Sequence, residues 1–209
     1  DISKHWQQGY GVIRHNPEPV THAKALLDYV KGESIKGYHH TPETLLAAAD
    51  RLASAAMWLA VHQTYAKNIH LDGRHLKLTD FKPDPQGHLG GSLNMIPAYV
   101  GYLLANALTG FTRGWVMEQG HAVAAIDSAN LLVGNMTKAH AERYNVSDKG
   151  LTRFARDFYS YALNKDGKPD SPLGSHVNAH TAGGIMEGGY LGFAGLEYVH
   201  MPLPGERLV

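Results

Sequence analysis

From Thr41 onward, Leu45, Ala49, Leu52, Ala56 and Leu59 recur three or four positions apart toward Gln63, lining one stripe of a helix. Thr41 can cap that helix, and Pro42 suits its first position, where a missing N–H has no intrahelical partner to lose. A second apolar stripe, Ile96, Val100, Leu103, Leu104 and Ala107, predicts a helix capped by Asn94 that carries Pro97 at its third position. Residues 114–118, Gly-Trp-Val-Met-Glu, are short, apolar and bounded by glycine, which predicts a buried strand. Helices are expected over 123–132, 137–144 and 147–163, the last capped by Ser147 or Asp148 and carrying Leu151, Phe154, Phe158 and Tyr161. A small-residue helix from about 188 to 198 follows, and Glu206-Arg207-Leu208-Val209 reads as the start of a further strand.

Organisation follows from where this pattern begins. Residues 1–40 are polar and aromatic, broken by Gly9, Gly11 and Asn16-Pro17-Glu18-Pro19, and form a lead-in segment with one short helix near residues 21–30. Residues 41–209 form the main unit. Within it a long charged connection over 69–85 ends in Lys82-Pro83-Asp84-Pro85, whose prolines impose extended backbone and deliver the chain to Gly87-His88. The expected fold class is α/β: a parallel sheet with flanking helices, helix-rich. A final strand that stops as it begins is expected to mean a truncated chain, with an open sheet edge suited to pairing.

Composition narrows the partners. Lysine plus arginine and aspartate plus glutamate balance at 19 each, so no net field draws the chain to nucleic acid or an anionic membrane. The chain has no cysteine, which excludes disulfides, thiolate zinc sites and cysteine nucleophiles and suits a reducing cytoplasm. No apolar run in the sequence approaches the roughly 20 residues needed to span a bilayer. Two excesses change the picture: 23 glycines and 14 histidines in 209 residues.

The histidines matter by position. His88 sits in Gln86-Gly-His-Leu-Gly-Gly-Ser-Leu-Asn94, Gly120-His121 follows the predicted strand, and Ser175-His176 leads to Glu187-Gly188-Gly189-Tyr190-Leu191-Gly192. In open α/β sheets ligands collect at the C-terminal ends of strands, where His121 would lie. Three histidines beside glycine or serine predict three loops converging on one polar ligand, with imidazoles that donate to oxyanions or hydroxyls and move protons near neutral pH. Taken singly, a histidine after glycine is more often a capping or hydrogen-bonded residue. His176 and His180 are four apart, but no third ligand stands at usual spacing and the glutamate of a metalloprotease helix is missing, so no metal ligand is assigned. Residues 183–192 lack the Gly-Lys-Ser/Thr ending of a P-loop.

In order, these segments resemble the N-terminal thiamine-diphosphate-binding part of transketolases and phosphoketolases. Gly87-His88-Leu89-Gly90-Gly91 running to Ile96-Pro97-Ala98 is similar to the transketolase run that begins Gly-His-Pro-Gly, and Gly120-His121-Ala122-Val123-Ala124 matches its Gly-His-Ala-Val-Ala. Ser175-His176, Thr181, Gly183, Ile185 and Glu187-Gly188-Gly189 with Leu191-Gly192 match the phosphoketolase pattern, as does Ala60-Val61-His62-Gln63-Thr64-Tyr65. The resemblance implies an enzyme that uses thiamine diphosphate as electron sink to cleave a carbon-carbon bond of a ketose phosphate such as xylulose 5-phosphate. His88, His121 and His176 would be catalytic, and Gly120, Glu187, Gly188 and Gly189 would contact the cofactor. Mg²⁺ would be held in the full-length protein, since by the resemblance the Gly-Asp-Gly motif that opens its site should follow the strand that Leu208 and Val209 begin. The resemblance further implies a homodimer, or association with the remainder of the chain. Met186, Leu89 and Gly91 depart from the phosphoketolase pattern, which leaves open a sugar-phosphate 3-epimerase of the same family or a non-catalytic binding or assembly module retaining the fold.

Overall fold

A computed structural model describes residues 6, 8–32, 40–114, 122–160, 165 and 206–208. The first helix, α1, spans Pro17–Gly32 with Glu18 in its first turn, beginning before the expected residue 21 because Pro17 starts it. Val20, Leu27 and Val30 form its buried side. Helix α2, Pro42–Tyr65, is the one expected: the Thr41 side chain accepts a hydrogen bond from the Thr44 amide at 3.2 Å, and proline follows the cap. The charged connection after it is also ordered. A 3-10 turn at Leu78–Asp80 and a bridge between Ala66 and Phe81 fold it back on the end of α2. The Asp80 carboxylate accepts from Asn68 Nδ2 at 2.8 Å and from the Lys77 amide at 2.9 Å. These bonds hold its pKa below the usual value, Asn68 contributing most.

Helix α3 spans Leu89–Thr109 with His88 at its N-cap, which corrects the start expected at Asn94. The Ser92 amide and hydroxyl both donate to the His88 carbonyl, at 3.0 and 3.1 Å, and so close the first turn around the glycines. Pro97 therefore lies inside the helix, where it withholds one donor from the ladder. Strand β1 is Thr112–Gly114 and pairs in parallel with β2, Glu206–Leu208, Thr112 standing opposite Glu206 and Gly114 opposite Leu208. The strand expected at 114–118 thus begins two residues earlier, and residues 115–118 lie outside the described ones, as does the helix expected over 188–198.

Helices α4 (Ala124–Val133), α5 (Lys138–Arg143) and α6 (Asp148–Asp157) complete the fold, with Thr137 and Ser147 accepting from backbone amides as N-caps of α5 and α6. The helix expected to continue to residue 163 ends at Asp157. Phe154 and Phe158 belong to different cores: Phe154 packs with Tyr144 and Leu151, whereas Phe158 joins Ile96, Ala125 and Ala129. Serving both, the chain leaves the helix at Phe158 and turns through Tyr159 at φ 58°.

Helix α2 lies between those two cores, giving Ala53, Ala56 and Ala60 to one and Leu59 to the other. By length and composition it is apolar enough to cross a bilayer, contrary to the expectation that no segment is. Its packing against α3, α4 and α6 and its buried Asp50, Gln63 and Thr64 make it a core helix here. The architecture is helix-rich, and the parallel ladder of β1 and β2 is the sheet present among the described residues; the wider parallel sheet of the expected α/β class is not among them.

Candidate functional site

The Gly87-His88 turn is held from three sides. Gly87 has φ +116°, and a side chain there would meet the Phe158 ring at 3.3 Å and that of Tyr159 at 3.6 Å, so both the torsion and the close approach require glycine. The two rings meet edge to face, 4.8 Å apart. Five residues upstream, Lys82 Nζ donates to the Gln63 carbonyl at 2.7 Å and to the Phe158 carbonyl at 3.3 Å, and stands 5.4 Å from the Phe158 ring centre. Its main-chain amide donates to the Tyr65 carbonyl at 2.8 Å. Lys82 therefore satisfies orphan carbonyls at the ends of both α2 and α6, where helix dipoles favour a cation. Burial nevertheless lowers its pKa to about 8.

His88 is exposed at the N-terminus of α3, and its imidazole makes no hydrogen bond among the described residues. Its Nδ1 lies back over Gly91, where an added Cβ would stand 2.6 Å from that nitrogen. At Gly90 an added Cβ would meet nothing within 4 Å, so the surface beside the imidazole is open. Ala122, the residue after His121, packs against the same Gly91, its Cβ 3.4 Å from where a side chain would begin. Two of the three histidine segments thus converge at one glycine. His121 itself, His176, Gly120, Glu187, Gly188 and Gly189 lie outside the described residues.

Between α2 and α4 is a buried polar cluster. Gln63, Asp127 and Ser128 are nearly or wholly inaccessible, and Ser128 Oγ donates to Gln63 Oε1 at 3.2 Å. Burial pushes the Asp127 carboxyl well above its ordinary pKa, the Gln63 side chain partly opposing. Tyr99 donates to Asn130 at 2.7 Å, and its own pKa is raised by burial, with the Asp127 charge adding to the effect. Lys82 lies in a proline-broken loop and Asp127 in a helix of otherwise apolar pattern, so neither carries a signal in the sequence. Gln63 was visible only inside the Val-His-Gln-Thr-Tyr match. No group of three or more histidine, aspartate or glutamate side chains able to hold a metal occurs among the described residues.

Helices packed with a parallel strand pair, and a histidine at the N-cap of α3, make this a helix-rich domain. The family is settled by the XFP N-terminal domain, whose family model matches residues 40–199; the chain belongs to that family. It is similar to a probable phosphoketolase of Pseudomonas putida, 31% identical over 154 residues, which covers 71% of this chain and 18% of that protein. A xylulose-5-phosphate phosphoketolase of Lactiplantibacillus pentosus is 29% identical over 151 residues, 71% of this chain and 18% of that protein. A probable phosphoketolase of Rhodopseudomonas palustris is 27% identical over 154 residues, 73% of this chain and 18% of that protein. The chain thus matches less than one fifth of the length of these relatives. No solved structure matches it.

Proposed function

We propose that this chain forms the N-terminal part of a cytoplasmic thiamine-diphosphate-dependent enzyme that cleaves a carbon-carbon bond of a ketose phosphate such as xylulose 5-phosphate, in the manner of a phosphoketolase. The observation that carries the reading is the meeting of the His88 turn and the segment following His121 at Gly91. Two sequence motifs far apart in the chain converge there, as a shared ligand requires. The His88 imidazole, which makes no hydrogen bond among the described residues, and the open space beside Gly90 suit an oxygen-rich ligand.

Thiamine diphosphate would supply the electron sink. His88, His121 and His176 would donate hydrogen bonds to substrate oxygens and move protons at them, while Gly120, Glu187, Gly188 and Gly189 would line the cofactor. Lys82, Phe158 and Tyr159 hold the His88 turn in place. We assign no Mg²⁺ ligand within this chain, and a second subunit or the rest of the enzyme would complete the site. The parallel ladder of β1 and β2 supports its being the edge of a larger parallel sheet.

The test is calorimetric titration of the polypeptide that carries this chain in its source cells with thiamine diphosphate and Mg²⁺, followed by assay on xylulose 5-phosphate with inorganic phosphate. Saturable, metal-dependent binding and acetyl phosphate release are expected. Absence of binding in the intact polypeptide would overturn the proposal.

A further inference from the structure

A second candidate site lies away from His88, where the lead-in segment crosses α1 and the first half of α2. The lead-in is anchored there by specific contacts. His15 Nε2 and Asp50 Oδ2 are 2.8 Å apart, the Trp6 ring stacks on His15 at 3.6 Å with 7° between planes, and the Val12 amide donates to Ser54 Oγ at 3.2 Å. These contacts leave a cavity of about 340 Å³ between the three elements, within the size range of small-molecule sites.

Its wall is apolar along one face of each helix, with Val20 and Leu27 from α1 and Leu46 from α2, all buried. Trp6 and Tyr10 close one side. Four charged residues line it, and they are not equivalent. Asp50 is engaged by His15, and Glu43 has a contact of its own. Lys24 makes no hydrogen bond or ion pair among the described residues. The Arg51 guanidinium lies 5.4 Å from the Tyr10 ring centre, a stacking that leaves its N–H donors without a carboxylate partner among the described residues. Of the four charged groups, the two without an opposite charge among the described residues are therefore cations, and the buried Trp6 Nε1 adds an unpartnered N–H donor among those residues.

We propose that this cavity binds a small organic anion with an apolar body, such as an arylalkyl or short-chain carboxylate, whose body lies on the Val20, Leu27 and Leu46 wall and whose charge is met by Lys24 and Arg51. The site is separate from the proposed catalytic one. Trp6, Tyr10 and all of α1 precede residue 40, where the family match begins.

The probe is 4-phenylbutanoate, titrated calorimetrically into the whole chain beside its neutral counterpart 4-phenylbutan-1-ol. One-to-one saturable binding is expected, at least about tenfold tighter for the anion, since a tenfold ratio is the discrimination one charge-assisted contact supplies. Lys24→Met with Arg51→Met should bring the two ligands to equal, weak binding. Ala47→Trp, at an exposed position on the rim, should block both. All three positions are exposed, so unchanged circular dichroism and melting would show that the fold is kept, and the Ala47 and double variants check each other. Equal affinity of acid and alcohol for the parent chain, no saturable heat with the acid, or an anion affinity indifferent to these substitutions would each overturn the proposal.

Discussion

Lys82 Nζ donates to the main-chain carbonyl of Gln63 at 2.7 Å, so a side chain from the connection between α2 and α3 closes the C-terminal turn of α2. Because the same ammonium reaches the Phe158 carbonyl, the ends of two helices are tied together five residues before Gly87. The position of the His88 turn follows from that tie and from the rings packed against Gly87.

Two effects oppose each other when Lys82 is replaced by methionine. Loss of the hydrogen bonds strands two carbonyls, at about 1–3 kcal/mol, while removal of a desolvated ammonium recovers a comparable amount. The variant is therefore expected within about 1 kcal/mol of the parent at pH 7 by urea unfolding. The balance changes with pH. The folded-state pKa is lowered from 10.5 to about 8, so between those values the unfolded chain binds more protons than the folded one and this group's contribution to stability rises with pH. The parent should gain on the variant from pH 8 to pH 10; parallel pH profiles would refute the burial of this charge.

Gly91→Ala separates stability from function. Its Cβ would displace the end of the exposed His88 ring, a cheap movement, while alanine favours the helix over glycine by about 1 kcal/mol. Melting should be unchanged or higher. The histidine ring resonances of His88 should shift, and, on the function proposed above, turnover of ketose phosphate by the full-length protein should fall on the order of 100-fold, as misplacement by about 1 Å does. Full turnover with a displaced imidazole would remove His88 from the catalytic set.

Asp127 should destabilise the fold whenever it is ionised. Its folded-state pKa is raised by burial, so the folded chain binds the proton more tightly than the unfolded chain, and stability falls as pH rises above about 4, the ordinary carboxylate value. Asp127→Asn should flatten that fall and, at pH 7.5, raise stability by about 1 kcal/mol or more. Chemical denaturation at pH 5 and pH 7.5 measures both, and a variant less stable than its parent at pH 7.5 would show the carboxylate to be better compensated than its contacts indicate.

The lead-in has its own weak point at Gly11. It adopts φ +61°, and a Cβ there would lie 2.1 Å from Ser54 Oγ, the atom that receives the Val12 amide. Gly11→Ala should cost about 1–2 kcal/mol and alter the fluorescence of Trp6, compared in a background where Trp58 and Trp115 are phenylalanine. Unaltered emission would mean that the lead-in is held independently of this contact.

Helix starts are set locally along the chain. Thr41-Pro42 started α2, and Thr137 and Ser147 capped α5 and α6, because a cap needs only a side-chain oxygen near its own amides. The glycine-histidine motifs likewise disclosed their family through residues that can be read in order. Tertiary structure decided what depends on distant neighbours. Asn94 looked like a cap, yet α3 begins at Leu89, where Ser92 can close a turn on His88 and Gly91 can lie against Ala122. The apolar spacing of α6 pointed onward, but Phe158 had to serve the other core. Lys82 and Asp127 carried no periodic signal, since a buried charge is defined by the carbonyls, amides and rings that surround it, and those come from parts of the chain that meet only when it folds.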